Sequence, residues 1–404
     1  MARAHAQTRT PKVPVRDQTR IQGEAQPRKK RPRRFYDYSL LFTIIFLTVF
    51  GLIMIYSSSY YNAQVNGQSP SYYMVRQAQI AFAGFVMMLV ISKMNYHFFA
   101  RFTIPAIVVS YVCMLLVNFT SLGIEVNGKK RWLGTRSLRI QPAELVKVTV
   151  ILVLAVIITK LGKKINEWRV WGMLAALIGP LALLVTANNL SSGIIIVGIA
   201  FVMMFVACKR KWPFVLTAAL IAAVILFAEP VALALEQVGI LHEYQLERIL
   251  VWKEPEAYAQ DGGFQVLQGL YAIGSGGLLG KGLGQSIQKL SFLPEPQNDM
   301  IFAIICEELG LFGAVSVILI FLFMLYRFMV IAGNAPDLFG ALLVVGVMAH
   351  IAIQVVLNIA VVTNVIPNTG ITLPFISYGG TSVLFLMIEM GMVLSVSNQI
   401  RLES

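Results

Sequence analysis

Apolar residues fall along this chain in long unbroken blocks, neither alternating as in a strand nor confined to one helical face. A bilayer hydrocarbon core of ~30 Å takes about 20 residues at the helical rise. Blocks of roughly that size predict spans over residues 38–59, 77–92, 102–119, 142–160, 170–187, 193–208, 213–228, 299–330, 338–363 and 376–397. Two of the polar stretches between them are long, residues 120–141 and 229–298. Connections beyond ~12–15 residues are uncommon in compact domains and are often functional. The expected fold is therefore an all-α polytopic membrane protein. It has about ten transmembrane helices, with the large extracellular loop 229–298 between spans seven and eight. No fixed-period repeat and no inverted symmetry between halves is visible, unlike many transporter architectures.

Composition agrees with that reading and excludes a soluble domain. The 404 residues are 57% hydrophobic and only 13% charged, with mean hydropathy +0.71, where soluble domains carry about 25% charged residues. Net charge is +13, and its placement is informative. Arg28, Lys29, Lys30, Arg31, Arg33 and Arg34 crowd the end of a tail over residues 1–36, against only Asp17 and Glu24. Next to an apolar span, this reads as a disordered cytoplasmic anchor on anionic membrane lipid, not as a nucleic-acid arm. The tail is too long for a cleavable secretory signal. Residues 37–404 form the membrane domain.

With the tail inside, the inner loops receive Lys93, Arg101, Lys160, Lys163, Lys164, Arg169, Lys209, Arg210, Lys211 and Arg327, and Arg401 lands inside too. That satisfies the positive-inside rule with an even number of spans and both termini cytoplasmic. Residues 120–141 then put Lys129, Lys130, Arg131, Arg136 and Arg139 outside, where basic residues are normally sparse. Cys113, Cys208 and Cys306 sit in apolar blocks at spacings that suit core packing, not a metal or a disulfide.

Candidate chemistry gathers on the outer side. Asp299 ends the run Ser291-Phe292-Leu293-Pro294-Glu295-Pro296-Gln297-Asn298-Asp299, immediately before an apolar helix. It suits a helix cap, and a carboxylate at the membrane surface is also placed to accept a proton. Glu307 and Glu308 lie ~12–14 Å deeper by helical rise. They are either a buried structural pair or functional intramembrane carboxylates. Pro142 suits a first helical turn, and Glu144 can meet Lys147 at i, i+3, as a structural pair or lining a polar cavity. The run Gly274-Ser275-Gly276-Gly277-Leu278-Leu279-Gly280-Lys281-Gly282-Leu283-Gly284 fails the P-loop pattern at Ser275 and Gly282. It reads as a flexible loop whose Lys281 is available to phosphate. His5, His97, His242 and His350 are scattered, and no zinc motif is present.

Taken together, these motifs resemble the SEDS family (shape, elongation, division and sporulation). Asn127-Gly128-Lys129-Lys130-Arg131-Trp132 and Gln141-Pro142-Ala143-Glu144-Leu145-Val146-Lys147 look like its second outer loop and fourth span. Tyr244-Gln245-Leu246-Glu247-Arg248-Ile249, the Gly-rich run, and Leu293-Pro294-Glu295 through Asp299 to Glu307-Glu308-Leu309-Gly310 resemble its large outer loop. The stretch from Pro367-Asn368-Thr369-Gly370 to Phe375-Ile376-Ser377-Tyr378-Gly379-Gly380 resembles its most recognisable signature. The likeness covers about residues 38–398 and is closer to the FtsW and SpoVE type than to RodA. There are two departures. Thr369 stands where many FtsW proteins carry Lys, and Asn189 stands where the family usually has an acidic residue.

The resemblance implies a peptidoglycan glycosyltransferase that polymerises lipid II into glycan strands at the outer face of the bacterial cytoplasmic membrane, in division at the septum. It also implies a class B penicillin-binding protein transpeptidase as partner, alongside other division proteins, and Asp299 as the catalytic residue. Glycosyl transfer from a lipid diphosphate needs a base for the acceptor and positive charge for the leaving group. Lys129, Lys130, Arg131, Arg248 and Lys281 are the available cations, Trp132 offers a surface for sugar or lipid, and Glu144 with Lys147 completes the substrate-binding set. No cofactor is required, although a divalent cation (Mg or Mn) bridging the diphosphate is compatible with this chemistry. Two other readings are a lipid II flippase, permitted by intramembrane Glu144, Lys147, Glu307 and Glu389, and a non-catalytic division scaffold. The outer loop with its carboxylate and cations favours the enzyme.

Overall fold

The computed structural model describes residues 33–126, 129–134, 139–227, 230, 243–260 and 262–402. Most of the tail that the sequence marks as disordered, residues 1–32, lies outside these, as do Asn127 and Gly128 of the outer basic loop.

The chain is helical in the order α1 (Tyr38–Val65), α2 (Tyr72–Lys93), α3 (His97–Ala100), α4 (Thr103–Phe119), α5 (Pro142–Leu161), α6 (Trp168–Asn188) and α7 (Leu190–Ala207). It continues through α8 (Trp212–Leu226), α9 (Glu243–Lys253), α10 (Gly263–Gly276), α11 (Ile301–Gly333), α12 (Leu338–Val362) and α13 (Gly380–Gln399). Eight of these are long and apolar enough to cross a membrane, and Thr103–Phe119 and Trp212–Val224 are shorter apolar helices. They follow the ten apolar blocks in order.

Local chemistry sets the helix ends. Asp37 caps α1 by accepting from the Leu40 amide at 2.9 Å. Its carboxylate also receives Arg327 Nη2 at 2.7 Å, which ties the start of α1 to the far part of α11. Pro142 opens α5, where a missing N–H costs nothing. Asn189 leaves helical geometry between α6 and α7, and its side chain accepts from the Ser192 amide. Gly310 sits inside α11 with φ 65°. A Cβ there would meet the Gly280 nitrogen at 2.3 Å, so only glycine admits both the turn and the crossing backbone.

The centre of the bundle is α5, α12 and α13, with 61%, 67% and 72% of their apolar windows buried, while α2 keeps most of its surface for lipid at 22%. Strands β1 (Arg33–Arg34) and β5 (Arg401–Leu402) pair antiparallel, so the two described ends of the chain meet at one end of the bundle.

Two outer regions depart from the expected loops. The strands β2 (Gly123–Val126), β3 (Lys129–Gly134) and β4 (Arg139–Ile140) form a three-stranded antiparallel sheet. Residues 229–298 contain α9 and α10, and residues 228, 229, 231–242 and 261 lie outside the described residues. Apolar Val266, Leu267 and Ala272 of α10 are buried, which is why this segment is helical and not an open loop.

Candidate active site

Asp299 is delivered to the site by a segment that is clamped on its far side. After α10 the chain passes beneath the Gly310 kink, and the Lys281 and Gly282 amides donate to the Glu307 and Glu308 carbonyls at 2.9 Å. The two glutamate side chains, each 0% exposed, bind the same segment. Glu307 receives Lys281 Nζ at 2.7 Å, the Ile287 amide at 3.0 Å and the Ser286 hydroxyl. Glu308 receives Lys289 Nζ at 2.7 Å and Ser57 Oγ at 2.6 Å. Of the two readings of these carboxylates, the geometry selects the buried structural pair.

This corrects the expectation for Lys281. Its ammonium is taken up by Glu307 and the Ser275 hydroxyl, and it does not line the cavity below. The cap reading of Asp299 changes as well. Met300 occupies the N-cap of α11, with no side-chain capping bond.

Asp299 faces a cavity of about 1310 Å³ instead. Its main-chain oxygen is held by Asn358 Nδ2 at 2.9 Å, and Gly370 lies beside the carboxylate, where a Cβ would sit in ordinary contact with Oδ2 at 3.7 Å. Burial pushes the Asp299 carboxyl up to about 6. Its own amide and that of Met300 pull it down, while the Glu295 carboxylate pushes in the same direction as burial. A carboxyl poised there is ionised at neutral pH yet more basic than an ordinary aspartate.

Around Asp299, the cavity collects six cationic side chains, Arg76, Lys129, Arg131, Arg139, Lys147 and Arg248, against the carboxylates Glu144, Glu295 and Asp299. Strand β3 explains which of its cations enter. Adjacent side chains point to opposite faces of a strand, which separates Lys129, lining the cavity, from Lys130, paired with Glu125. The register irregularity at Ile124/Glu125 breaks the alternation beyond that point, and Arg131 and Trp132 both line the cavity. Lys130 is thus the second expected binding residue that the structure leaves outside. Burial and the neighbouring Arg131 and Arg248 pull the Lys129 ammonium down, a sign of how closely these cations are gathered.

Arg131 Nε donates to the Asn188 carbonyl at 2.9 Å, and Arg248 Nη1 to the Asn368 carbonyl at 3.0 Å, which orients both guanidinium groups. Glu144 and Lys147 pair at 2.8 Å, both almost fully buried, and Trp132 forms part of the wall. The cavity reading of that pair is the one realised. Seven expected residues therefore converge: Asp299, Lys129, Arg131, Trp132, Glu144, Lys147 and Arg248.

Arg76 and Arg139 were not among the expected binding residues. Arg139 belongs to the same outer basic stretch. Arg76 carries the one sequence signal available to it, a charge immediately before the apolar block 77–92. Both departures from the family pattern, Asn189 and Thr369, also line the cavity, and the Ser191 hydroxyl donates to the Thr369 carbonyl. Among the described residues, no three His, Cys, Asp or Glu side chains group as a metal site. The arrangement is one base of raised basicity facing a cationic basin suited to a polyanion.

Comparison with known proteins gives a consistent result. A family model described as a cell cycle protein, covering FtsW, RodA and SpoVE, matches residues 38–402. Stage V sporulation protein E of Bacillus subtilis (strain 168) is 37% identical over 365 residues, 90% of this chain and 96% of that protein. The protein named probable peptidoglycan glycosyltransferase FtsW of Trichlorobacter lovleyi is 34% identical over 370 residues, 91% of this chain and 94% of that one. A chain from a structure described as structural coordination of polymerization and crosslinking by a peptidoglycan synthase complex superposes with TM-score 0.74. It is 25% identical and the match covers 90% of this chain and 97% of that one. The rod shape determining protein RodA of Thermus thermophilus shares the fold, with TM-score 0.65, 23% identity and coverage of 91% and 98%.

Proposed function

This chain belongs to the FtsW, RodA and SpoVE family of cell cycle proteins, and from that premise and its cavity we propose that it is a peptidoglycan glycosyltransferase polymerising lipid II. The observation that carries the reading is Asp299, a half-buried carboxylate of raised basicity, facing a basin with six cationic side chains.

The reaction follows from these groups. Asp299 takes the proton of an acceptor sugar hydroxyl. The oxygen attacks the anomeric carbon of the donor as its bond to the diphosphate breaks. Arg131 and Arg248, with Lys129, Arg76 and Arg139, hold the diphosphate and take up the charge that develops on it. One displacement inverts the anomeric centre, so an α-linked donor yields a β-linked chain. Trp132 packs against sugar or lipid. A divalent cation accompanying the diphosphate would supply further charge neutralisation there; the carboxylates that line the cavity are Glu144, Glu295 and Asp299.

Arg76 and Glu144 lie in the first turns of α2 and α5, and Asp299 immediately precedes α11. All three lie at the end of the bundle opposite the paired chain ends. With the basic loops and both termini in the cytoplasm, the cavity opens at the outer face of the bacterial cytoplasmic membrane, where lipid II is presented. A class B penicillin-binding protein is the fitting partner, since the related peptidoglycan synthase complex joins polymerisation to crosslinking. The division septum is the proposed place of action.

The test is glycan polymerisation by the purified protein with labelled lipid II, with and without its transpeptidase. Polymer is expected. Flipping of lipid II without polymer would support the transporter, and recruitment of partners with neither activity would support the scaffold.

A further inference from the structure

A second polar system runs from the cavity floor into the apolar centre, and the chemistry above does not use it. His350, Gln354 and Asn358 stand at i, i+4 and i+8 on one face of α12, and all three are at most 3% exposed. The lower two hold the cavity wall. Asn358 Nδ2 donates to the Ile371 carbonyl at 2.6 Å and to the Asp299 carbonyl at 2.9 Å. Gln354 Nε2 donates to the Thr372 carbonyl at 3.0 Å, while its Oε1 accepts from Lys147 Nζ at 3.3 Å. Its Oε1 also meets His350 Nε2 at 2.9 Å, and His350 Nδ1 meets Glu389 Oε2 at 2.7 Å.

Donor and acceptor rules fix the protons along this chain. Lys147 has only donors to offer and the Thr372 carbonyl only accepts, so the Gln354 amide can sit one way round. Its oxygen therefore faces His350, and His350 Nε2 must carry a hydrogen. The contact to Glu389 then holds one proton between Nδ1 and Oε2, either on the imidazole beside a carboxylate or on the acid beside a neutral ring. Both forms give the pair no net charge, which suits two groups at most 1% exposed in the centre of a membrane protein. Glu389 thus keeps a hydrogen on His350 Nε2, that hydrogen gives the Gln354 amide a further bond in its one allowed orientation, and Gln354 holds both Lys147 and the Thr372 carbonyl of the cavity wall.

We propose that His350 and Glu389 are positioning residues for the glycosyl transfer site, acting through Gln354 on Lys147 and on Thr372. The proposal rests on the polymerase reading. Neither residue touches the cavity, and Lys147, paired with Glu144, is not among the cations assigned to the diphosphate, so their effect falls on the geometry of the site and not on capture of the diphosphate.

The experiment compares His350→Phe, Glu389→Leu and Glu389→Gln in the purified protein with its transpeptidase, using labelled lipid II. Misplacement of catalytic groups by a fraction of an ångström lowers turnover strongly. We therefore expect His350→Phe and Glu389→Leu to lower kcat about ten-fold, with KM changed by less than about two-fold. Glu389→Gln should retain turnover, because its amide still donates to Nδ1 and keeps the hydrogen on Nε2. A parallel measurement needs no activity. Hydrogen exchange across residues 366–379 should accelerate in His350→Phe and Glu389→Leu and stay at the parent level in Glu389→Gln.

Parent-like kcat and exchange in Glu389→Leu would overturn the proposal, as would Glu389→Gln behaving like Glu389→Leu. If the parent makes no polymer, the polymerase reading fails, and the exchange pattern alone then decides whether the pair positions the wall.

Discussion

Lys289 offers a direct test of how the catalytic segment is held. Its ammonium is 7% exposed and lies 2.7 Å from Glu308 Oε1, while Ser57 Oγ bonds both oxygens of that carboxylate, at 2.6 and 2.8 Å. Replacing Lys289 by Met keeps the stem and removes the charge. The Glu308 carboxylate would then be buried with only hydroxyl and amide donors, a loss of ~3–5 kcal/mol by the usual cost of orphaning one partner of a buried pair. Adding Glu308→Gln removes the stranded charge while Ser57 can still donate to the new amide oxygen. The double variant should therefore lose only the ~1–2 kcal/mol of ordinary hydrogen bonds. Thermal unfolding of the three proteins in detergent, followed by tryptophan fluorescence, ranks them. The expected order puts Lys289→Met lowest, the double variant clearly above it, and the parent at the top. A double variant at or below Lys289→Met would refute the reasoning, because the buried charge would then not be the source of the loss.

The other predictions concern the cavity and its setting. Activity should rise with pH through about 6, because the Asp299 carboxyl is pushed up to about 6 and only its ionised form accepts a proton. In a kcat/KM profile this appears as unit slope below that pH and a plateau above it, and a midpoint near an ordinary carboxylate's would contradict it. Arg131→Ala should weaken polymerisation by roughly 10-fold or more, with only partial recovery in Arg131→Lys, since a single ammonium cannot reproduce a bidentate guanidinium. Steady-state kinetics on labelled lipid II reads both variants. Gln285→Cys, at an exposed position of the segment after α10, should react with an impermeant thiol reagent added outside intact cells. The parent, whose cysteines are buried or half-buried, sets the background, and labelling only after the membrane is breached would reverse the assigned topology.

The long apolar helices were legible because a bilayer imposes block lengths that need no tertiary information, and the eight long apolar helices with the two shorter ones follow those blocks. Asp299, Arg131 and Glu144 were legible because each sits where a charge is costly or unexpected, at a span entrance or on the outer side. Contacts that form only in three dimensions were not legible. Lys281 looked available to phosphate in a Gly-rich run, but the Gly310 kink brings Glu307 across to claim it. Lys130 reads no differently from Lys129 until the strand alternation separates them. Arg76 lies far in sequence from every other charged cavity residue, and no local motif surrounds it. The helices inside residues 229–298 were masked by glycines and charges that dilute the apolar period, while burial of Val266, Leu267 and Ala272 decides the outcome.

Glycan synthesis by Asp299→Asn bears most directly on the proposed chemistry. Asparagine preserves size, and since Met300 and not Asp299 occupies the N-cap of α11, folding and insertion should be retained. It cannot take the acceptor's proton, a loss that typically costs ~10²–10⁴-fold in rate, or about 3–5 kcal/mol of transition-state stabilisation. With purified protein, its transpeptidase and labelled lipid II, the Asn variant should bind its partner as the parent does and make essentially no polymer. Polymerisation at the parent rate would mean that Asp299 is not the base and that the catalytic assignment is wrong.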